Sequence, residues 1–538
     1  MVAINKVQEM TGMKTTTHEG GVAYLLSFKE QLVEFFSLGL LNGNFYQTQA
    51  EVLKNGKSLF EKALRECPEF ATKAAVYGNN INSLKLVPTI WLVYLSTLED
   101  KALFKKAFSR IIRNPKMLHD FIEIARKGGI RQGLGRGVKK VVNDWLKEHL
   151  NEYQVSRNKG KLDEIIKVTR PNSKEAPEEF QCYMEYISKG KLTVSRAKAL
   201  KEVIEFMEQG TLNDTVFALI EANRLQLEEL KHATANLDHI QKRSLYSAMY
   251  KGLNYSALIL NLVALERVFA LRTNADNFGR VDKVIQKNGK QMRFAQIQVV
   301  ETDIPQDLIE TVVQKIEDVE MYRKSNMLPF ALLNAEKMVV TPEFKRAIGN
   351  ILRKVAQQTF EIDNSLSLLV GIDTSGSMQS NSVTDTGSLF ASDVSTIFGA
   401  MLKKSHAKTD VHAIATYIKP VDLAKQEDVF DMARKIARTD VGYGTYFEQL
   451  MNVYKGQKYV ILITDNEQAD NLERRWIGTN KPEGAKLIVW KLCPNGITIS
   501  KDRSVVQVAG YSDRLLGLVK NIIEGKSGQV SEVEKLVL

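Results

Sequence analysis

Residues 366–378 read Leu-Ser-Leu-Leu-Val-Gly-Ile-Asp-Thr-Ser-Gly-Ser-Met. The apolar part of this stretch is typical of a buried β-strand. It ends abruptly at Asp373, and Ser375 and Ser377 follow in a short turn that contains a glycine. Open α/β sheets bind ligands at the carboxyl ends of their strands. Three oxygen donors on one such loop suit a cation of the Mg²⁺ type, which takes few protein ligands and keeps positions open.

The sequence after residue 362 alternates strand-like and helix-like segments, which indicates a parallel, doubly wound sheet. Strands are predicted at Leu366–Ile372, Val411–Ile418, Tyr459–Thr464 and Lys486–Leu492, with an edge strand at Ser504–Ala509. Helices are predicted at Ser388–Lys404, Glu427–Arg438, Tyr446–Tyr454 and Ser512–Ile523.

Residues 1–362 show a different pattern, in which apolar residues recur at spacings of three and four. Helices that follow one another for hundreds of residues indicate an α-solenoid of the HEAT or armadillo kind, although the sequence has no strict period. We therefore predict two domains, 1–362 and 363–538. The predicted helices include Lys29–Leu40, Lys57–Glu66, Phe104–Ile112, Lys116–Lys127, Val138–Leu150, Val194–Glu208, Asp214–Leu230, Ile240–Tyr250, Ser256–Leu271, Asp307–Met321 and Pro342–Gln358.

Two further segments would bring oxygen ligands to the same edge of the sheet. Another apolar strand, residues 459–464, ends in a carboxylate, and a glycine-containing loop at 442–445 presents a hydroxyl group. The alternative is that the serine and threonine side chains merely cap helices. The candidate metal ligands are Asp373, Ser375, Ser377, Thr445 and Asp465.

Two other interpretations of the first loop fail. An aspartic protease needs Asp-Thr-Gly, but Ser375 stands between Thr374 and Gly376. An EF-hand needs glycine at its sixth position, which Met378 occupies here.

Composition is that of an ordinary globular protein, with 538 residues, 44% apolar and 25% charged. The three cysteines are far apart, which favours a reducing compartment. The first residues do not form a signal peptide, and the longest apolar stretch, Tyr255–Leu271, contains charged residues. We therefore expect a cytoplasmic protein without a membrane partner.

The net charge of +11 is concentrated in one window. Residues 101–170 hold 18 Lys and Arg against 7 Asp and Glu, so this window equals the entire excess. A localised basic excess indicates a polyanionic partner. The alternative is a solvated basic surface that binds no ligand.

The densest basic segment, residues 126–140, intersperses its cations with glycines, which let backbone approach a ligand closely. It follows no strand and lacks Gly-Lys-Ser/Thr, so a dinucleotide or P-loop site is disfavoured. The phosphates of a polynucleotide fit better. Aromatic residues are few, and Trp145 lies in an apolar helical pattern typical of a core residue. The candidate RNA-binding residues are Arg126, Lys127, Arg131, Arg136, Lys139, Lys140, Arg157, Lys159, Lys161, Lys167 and Arg170.

The candidate metal ligands resemble the metal-ion-dependent adhesion site of von Willebrand factor A domains. Asp373, Ser375 and Ser377 match its first loop, Thr445 its second and Asp465 its third. The residue after Thr445 is a tyrosine, where many such domains carry an acidic residue. Since hydroxyl ligands are neutral, an ion held by two carboxylates stays electrophilic and accepts an acidic ligand from outside. The arrangement therefore predicts recognition rather than catalysis.

The whole chain resembles the sixty-kilodalton Ro autoantigen family, in which a TROVE module precedes a von Willebrand factor A domain. The order of several short motifs, together with the metal loops, carries this resemblance. The motifs are Leu38–Tyr46, Arg113–Phe121, Gly135–Trp145, Tyr255–Leu262 and Met327–Phe330.

The resemblance implies a ring of HEAT-like repeats closed by a Rossmann-like von Willebrand domain. It also implies binding of small noncoding Y RNAs on the basic outer surface and of single-stranded 3′ ends of misfolded RNA in the hole. In bacteria such proteins are associated with RNA processing, so an exoribonuclease is an implied partner. Family members often have histidine where this chain has Arg170, a change that preserves phosphate binding but not a histidine-specific base contact.

These features favour a noncoding-RNA-binding protein that acts in RNA quality control and has no enzymatic activity. The alternative is a metal-dependent protein-recognition scaffold for an RNA-processing assembly. A Mg²⁺-dependent hydrolase is disfavoured because the sequence lacks a nuclease-like carboxylate cluster and a nucleotide motif.

Overall fold

The computed structural model describes residues 13–39, 49–273, 282–287, 290–295, 299–383, 389–424, 426–526 and 528–538. Most of the Leu38–Tyr46 motif lies outside the described residues.

The N-terminal two thirds of the chain form consecutive helices that pack mostly on helices one to three places away in the chain, as the prediction of an α-solenoid requires. The helices span Phe28–Leu38, Gln49–Glu66, Pro68–Ile81, Leu86–Leu95, Ala102–Ile111, Pro115–Lys127, Gly135–His149, Glu152–Arg157, Lys159–Thr169, Glu178–Lys189, Ser195–Glu208, Asp214–Ala222, Leu227–Leu230, His239–Gly252, Tyr255–Val268, Gln306–Ile316, Val319–Ser325, Pro329–Met338 and Pro342–Thr359.

Two helices predicted as continuous are broken. Asp214–Leu230 is interrupted after Ala222, where Arg224 takes a left-handed φ of 49° that no α-helix accommodates. Asp307–Met321 is interrupted at residues 317–318, because the Asp318 side chain accepts a hydrogen bond from the Met321 amide at 2.9 Å and starts a new helix.

Strands interrupt the helical region at places that the sequence analysis did not predict. β1 (Lys14–Thr16) and β2 (Val22–Leu25) form an antiparallel hairpin near the N-terminus. β3 (Ala270–Thr273) pairs with β6 (Val299–Thr302), and β4 (Asp282–Lys287) pairs with β5 (Lys290–Ala295). The Asn-Gly dipeptide at 288–289 is the sequence signal for the second of these hairpins.

The strands of the C-terminal part are β7 Leu368–Asp373, β8 Thr409–Ile414, β9 Ile418–Pro420, β10 Tyr459–Thr464, β11 Lys486–Lys491, β12 Ile497–Thr498 and β13 Val505–Ala509. They contain the predicted doubly wound sheet, with strand order β13-β11-β10-β7-β8-β9. All neighbouring strands of this sheet are parallel except β8 and β9, which are antiparallel. The sequence analysis predicted one strand, Val411–Ile418, where the structure has these two. The prediction of β10 was confirmed at both ends, and the predicted helix Tyr446–Tyr454 is instead a short 3₁₀ helix, Phe447–Asn452.

The helices of this part are Gly376–Ser380, Ala391–Ser405, Val429–Arg438, Leu472–Gly478, Arg514–Ile523 and Gln529–Glu534. β7 and β10, at the centre of the sheet, are buried along their whole length. Trp490 of β11 stacks on Phe398 with ring centroids 4.4 Å apart, which seals one face of the sheet. The chain passes from β7 to one side of the sheet and later returns to the other, so the β7–β10 junction is a topological switch point.

The N-terminal segment packs on the C-terminal sheet. β2 pairs with β12 rather than with a helical repeat, with Leu25 opposite Ile497. Lys491 of β11 donates a hydrogen bond to the Glu34 carboxylate, and the side chains of this ion pair are 0% and 6% exposed. Gln529 donates to the Ser37 hydroxyl at 3.0 Å. The C-terminal domain therefore holds the beginning of the solenoid.

The two ends of the solenoid also meet each other. The Ser83 hydroxyl donates to the Asn326 carbonyl at 3.0 Å. The Arg514 guanidinium donates to the Arg323 carbonyl at 3.1 Å and to Asn326 Oδ1 at 2.6 Å, and it also donates to the carbonyl of Asn80. One arginine from the C-terminal domain thus satisfies the terminal carbonyls of an early and a late helix, which closes the helical region into a ring.

Within the described part of the chain, the helices are all too short or too polar to cross a lipid bilayer.

We predict that Glu34→Gln destabilises the protein strongly, because it leaves the buried Lys491 ammonium without its counter-charge. The free energy of unfolding, measured by urea denaturation, should fall by about 3–5 kcal/mol. The exposed pair of Lys29 with Glu534 joins the same two regions and supplies the control. Glu534→Gln should cost less than about 1 kcal/mol. Equal losses in the two variants would contradict a dominant role for the buried pair.

Candidate metal centre and nucleic-acid interface

The first predicted metal loop lies at the carboxyl end of β7. Asp373 ends the strand, and Ser375 is the residue that precedes the short helix Gly376–Ser380. The Ser375 amide donates to Asp373 Oδ1 at 2.9 Å, and the Ser375 and Ser377 hydroxyl oxygens lie 3.2 Å apart. The turn therefore folds back so that its carboxylate and two hydroxyls converge.

The second carboxylate follows β10, the strand beside β7. Asp465 Oδ2 accepts a hydrogen bond from Asn381 Nδ2 at 3.1 Å, and Asp465 Oδ1 accepts one from the Glu467 amide at 3.3 Å. The Thr464 hydroxyl donates to Asp373 Oδ2 at 2.6 Å. These contacts fix both carboxylates and link the two loops directly.

The third loop joins the site through its backbone. The Gly376 amide donates to the Tyr443 carbonyl at 3.1 Å, which holds residues 442–445 against the first loop. Thr445 is 2% exposed, and its hydroxyl oxygen has no hydrogen-bond partner among the described residues. A buried hydroxyl without a partner is costly, so this atom fits the coordination of a cation.

Burial and like charge shape the electrostatics of the site. Burial, with the nearby charge of Asp465, raises the pKa of Asp373 to about 7. Burial also raises the pKa of Asp465 to about 6; the charge of Glu467 adds to this rise, and a hydrogen bond from Ser377 opposes it. Burial makes the ionised form of both carboxyl groups unfavourable, so a bound cation would stabilise that form by supplying positive charge.

The structure brings Asp373, Ser375, Ser377 and Asp465 together at the β7–β10 junction and holds the loop that contains Thr445 against the first of these loops. Two carboxylates with neighbouring hydroxyls could hold a hard cation of the Mg²⁺ type. Sequence reasoning missed the side chains that orient the carboxylates, Asn381 and Thr464. The position of Thr464 beside Asp465 was a usable signal, whereas Asn381 becomes a neighbour only through the tertiary fold.

The predicted RNA-binding cations lie on consecutive helices. Helix Lys159–Thr169 packs against both Pro115–Lys127 and Gly135–His149. Each of these helices buries an apolar stripe, and their exposed faces carry the cations. We call the following six residues, which form no ion pair within the described residues, the basic cluster: Arg126, Arg136, Lys139, Lys140, Lys161 and Arg170.

Four other candidates already have intramolecular partners. Lys127 and Lys167 each pair with an acidic residue one helical turn earlier. Arg157 donates to the hydroxyl of Tyr153 at 2.6 Å, and Lys159 lies 4.8 Å from the centroid of an aromatic ring. Exposed pairs of this kind are weak, so phosphates could replace the acidic partners. Trp145 is 2% exposed, which confirms that it is a core residue.

Arg131 differs from the other candidates because its guanidinium is fully engaged. It donates to the Ser96 carbonyl at 3.1 Å and hydroxyl at 2.6 Å, to the Gly133 carbonyl at 2.5 Å and to the Leu134 carbonyl at 2.6 Å. Partial burial lowers the pKa of this arginine. Its geometry is that of a residue that shapes the glycine-rich loop.

A solved structure has a similar architecture over most of this chain. The chain is similar to the crystal structure of the Deinococcus radiodurans Ro (RSR) protein, with a TM-score of 0.58 and 16% sequence identity over 93% of this chain and 100% of that chain. At this identity the likeness establishes the fold alone, and it confirms the predicted α-solenoid of helical repeats followed by a doubly wound, Rossmann-like domain. No protein-family model matches the chain, and neither does any curated protein sequence.

We predict that Arg131→Gln and Arg136→Gln separate loop structure from surface charge. Arg131→Gln removes several charge-assisted hydrogen bonds and should lower the free energy of unfolding by about 1–3 kcal/mol. Arg136→Gln should change it by less than about 0.5 kcal/mol, because that side chain is exposed. Chemical denaturation measures both; a loss confined to Arg136→Gln would contradict the assignment.

Proposed function

We propose that this protein binds small structured noncoding RNA of the Y RNA type, together with single-stranded 3′ ends of misfolded RNA, and acts in RNA quality control without enzymatic activity. The observation that carries the proposal is the basic cluster, whose six residues lie on or next to three neighbouring helices of the ring. The likeness in fold to the solved Ro (RSR) protein supports the proposal, because that name is the family that the sequence motifs resemble.

The physical basis is the release of counterions from RNA. Each Lys or Arg that contacts a phosphate displaces a condensed cation, so affinity falls steeply as salt concentration rises. The cluster supplies exposed or half-exposed cations that form no ion pair among the described residues. Exposed stacking platforms are few there, so we expect charge and shape of a structured RNA, rather than base stacking, to supply most of the affinity.

The metal loops fit a supporting role in recognition. We propose that Asp373, Ser375, Ser377, Thr445 and Asp465 hold a Mg²⁺ ion. When bound, such an ion supplies an electrophilic position open to an acidic group of a partner. The chain's own residues fix the two carboxylates through Thr464 and Asn381.

A protein-recognition scaffold is the second candidate. Tyr443, 77% exposed, and Tyr446, 44% exposed, flank the metal loops, and exposed tyrosines are common anchors in protein interfaces. An exoribonuclease would be one such partner. Affinity capture before and after RNase treatment separates the candidates: partners that survive RNase and are lost in Asp373→Asn would favour the scaffold.

We predict that removing the charge of Arg136, Lys139 and Lys140 together weakens RNA binding and its salt dependence. In the triple glutamine variant, the slope of log affinity against log salt should become shallower by about 2–3, one unit per lost phosphate contact. The measurement is a filter-binding titration of a structured RNA at several salt concentrations.

The matched control removes three exposed lysines of the C-terminal domain, Lys408, Lys419 and Lys455. It changes the net charge equally but should leave the slope within about half a unit of the wild type. Affinity that is insensitive to salt, or an equal effect of both triple variants, would overturn phosphate contact by the basic cluster.

We predict that Mg²⁺ stabilises the protein more at pH 8 than at pH 5.5. The folded protein holds the pKa of Asp373 at about 7 and that of Asp465 at about 6, against an ordinary 3.8. Without the ion the folded state therefore becomes less stable as these carboxyl groups ionise with rising pH, and only the ionised pair binds the ion. The rise in Tm on adding Mg²⁺ should therefore grow with pH and vanish in Asp465→Asn. Glu483→Gln, an exposed change in the same domain, should keep it. A rise in Tm that is independent of pH would contradict this site.

A further inference from the structure

A cavity of about 400 Å³ lies where the two ends of the helical ring meet. One wall comes from the early helices, through Asn79, Lys85 and Arg113, and the other from the late segment 325–331. The hydrogen bond from Ser83 to the Asn326 carbonyl, at 3.0 Å, crosses the same junction. The cavity is therefore built by both ends of the ring. It contains no residue of the basic cluster.

The charged groups of the cavity are all positive. Among the described residues that line it, Lys85 and Arg113 are charged and none is Asp or Glu. The Arg113 guanidinium donates to Asn80 Oδ1, a neutral oxygen that leaves its charge uncompensated. Burial and the neighbouring Arg514 lower the pKa of Arg113, so its environment disfavours positive charge. An anion at this wall would relieve that cost.

One polar atom of the cavity has no partner. Asn79 is 3% exposed, and its Nδ2 donates to the Leu84 carbonyl at 2.7 Å. Its Oδ1 has no hydrogen-bond partner among the described residues. A buried amide oxygen of this kind is an acceptor for an amino or imino group of a ligand.

The opposite wall is largely apolar. Met327, Leu328 and Phe330 line it and are partly exposed, and Met117 adds apolar surface from the early helices. A cavity that joins cationic groups, an unpartnered acceptor and an apolar aromatic wall has the makeup of a ligand site rather than of a packing defect. Its volume lies in the range of sites for small organic ligands.

We propose that this cavity binds one nucleotide, with its phosphate at Lys85 and Arg113 and its base against Met327 and Phe330. Asn79 Oδ1 accepts a hydrogen bond from the base. The nucleotide is either free or an unpaired residue of an RNA, since both present the same chemistry. Because its contacts come from both ends of the ring, a bound nucleotide stabilises the closed form.

Isothermal titration calorimetry of the full chain with AMP and UMP tests the site by measuring their affinities. The parent nucleosides serve as probes that lack phosphate. We expect the monophosphates to bind at least tenfold more tightly than the nucleosides. Lys85→Gln should weaken monophosphate binding at least fivefold, and the adjacent exposed Lys116→Gln should leave it unchanged. Arg113→Gln should weaken monophosphate binding to a similar degree. If loss of the contact to Asn80 unfolds the Arg113 variant, the affinity of Lys85→Gln tests the phosphate contact by itself.

Two further arms complete the test. Phe330→Ala should weaken AMP binding while leaving that of inorganic phosphate unchanged, because phosphate does not reach the apolar wall. An unpaired trinucleotide that displaces AMP identifies RNA as the source, whereas binding of AMP alone identifies a free nucleotide; both outcomes support the site. The triple variant of Arg136, Lys139 and Lys140 should retain AMP binding, so failure here is distinct from failure of the proposed RNA surface. Absence of AMP binding, or binding unaffected by Lys85→Gln, overturns the proposal.

Discussion

The ring depends on a buried ion pair between its first helix and the C-terminal sheet. Glu34 accepts from Lys491 and, at 2.9 Å, from the Gly496 amide. Lys491 also donates to Asn495 Oδ1 at 2.6 Å and to the Ile497 carbonyl at 2.8 Å. Both charges are removed from water, so the contact is stable only while every partner is in place. Sheet and solenoid therefore hold each other in one relative position.

This contact lies close to the metal loops. Asn495, which accepts from Lys491, donates to the Asp465 carbonyl at 3.1 Å and to Glu467 Oε1 at 2.9 Å. Glu467 Oε2 in turn accepts from the His18 amide of the N-terminal hairpin at 2.8 Å. The contact between the first helix and the C-terminal sheet and the geometry of the loop after β10 are thus parts of one hydrogen-bond network.

The sequence predicted what depends on local pattern and missed what depends on distant partners. The ends of β10 were predicted correctly because its unbroken apolar run stops at a charged residue on the carboxyl side. The hairpin β1–β2 was missed because its partner strand, β12, lies more than 400 residues later in the chain. The helix break at Arg224 was missed because a single left-handed residue leaves no trace in apolar spacing.

The candidate sites show the same difference between what local sequence pattern predicts and what only the tertiary fold determines. The five candidate metal ligands come from three separate sequence segments, two of which follow parallel strands whose carboxyl ends meet at one edge of the sheet. The basic residues were predicted as a group, but the sequence could not distinguish Arg131, whose guanidinium is engaged by backbone, from Arg136, whose side chain is exposed. That distinction depends on which carbonyl groups the fold leaves within reach.

The most direct test of RNA binding by the basic cluster is ultraviolet crosslinking in cells, followed by mass spectrometry of the protein peptides that carry RNA. We expect crosslinked peptides chiefly from Gly135–His149 and Lys159–Thr169, and we expect the co-purified RNA to be structured and noncoding. Crosslinks confined to the C-terminal domain, or the absence of co-purified RNA, would contradict it.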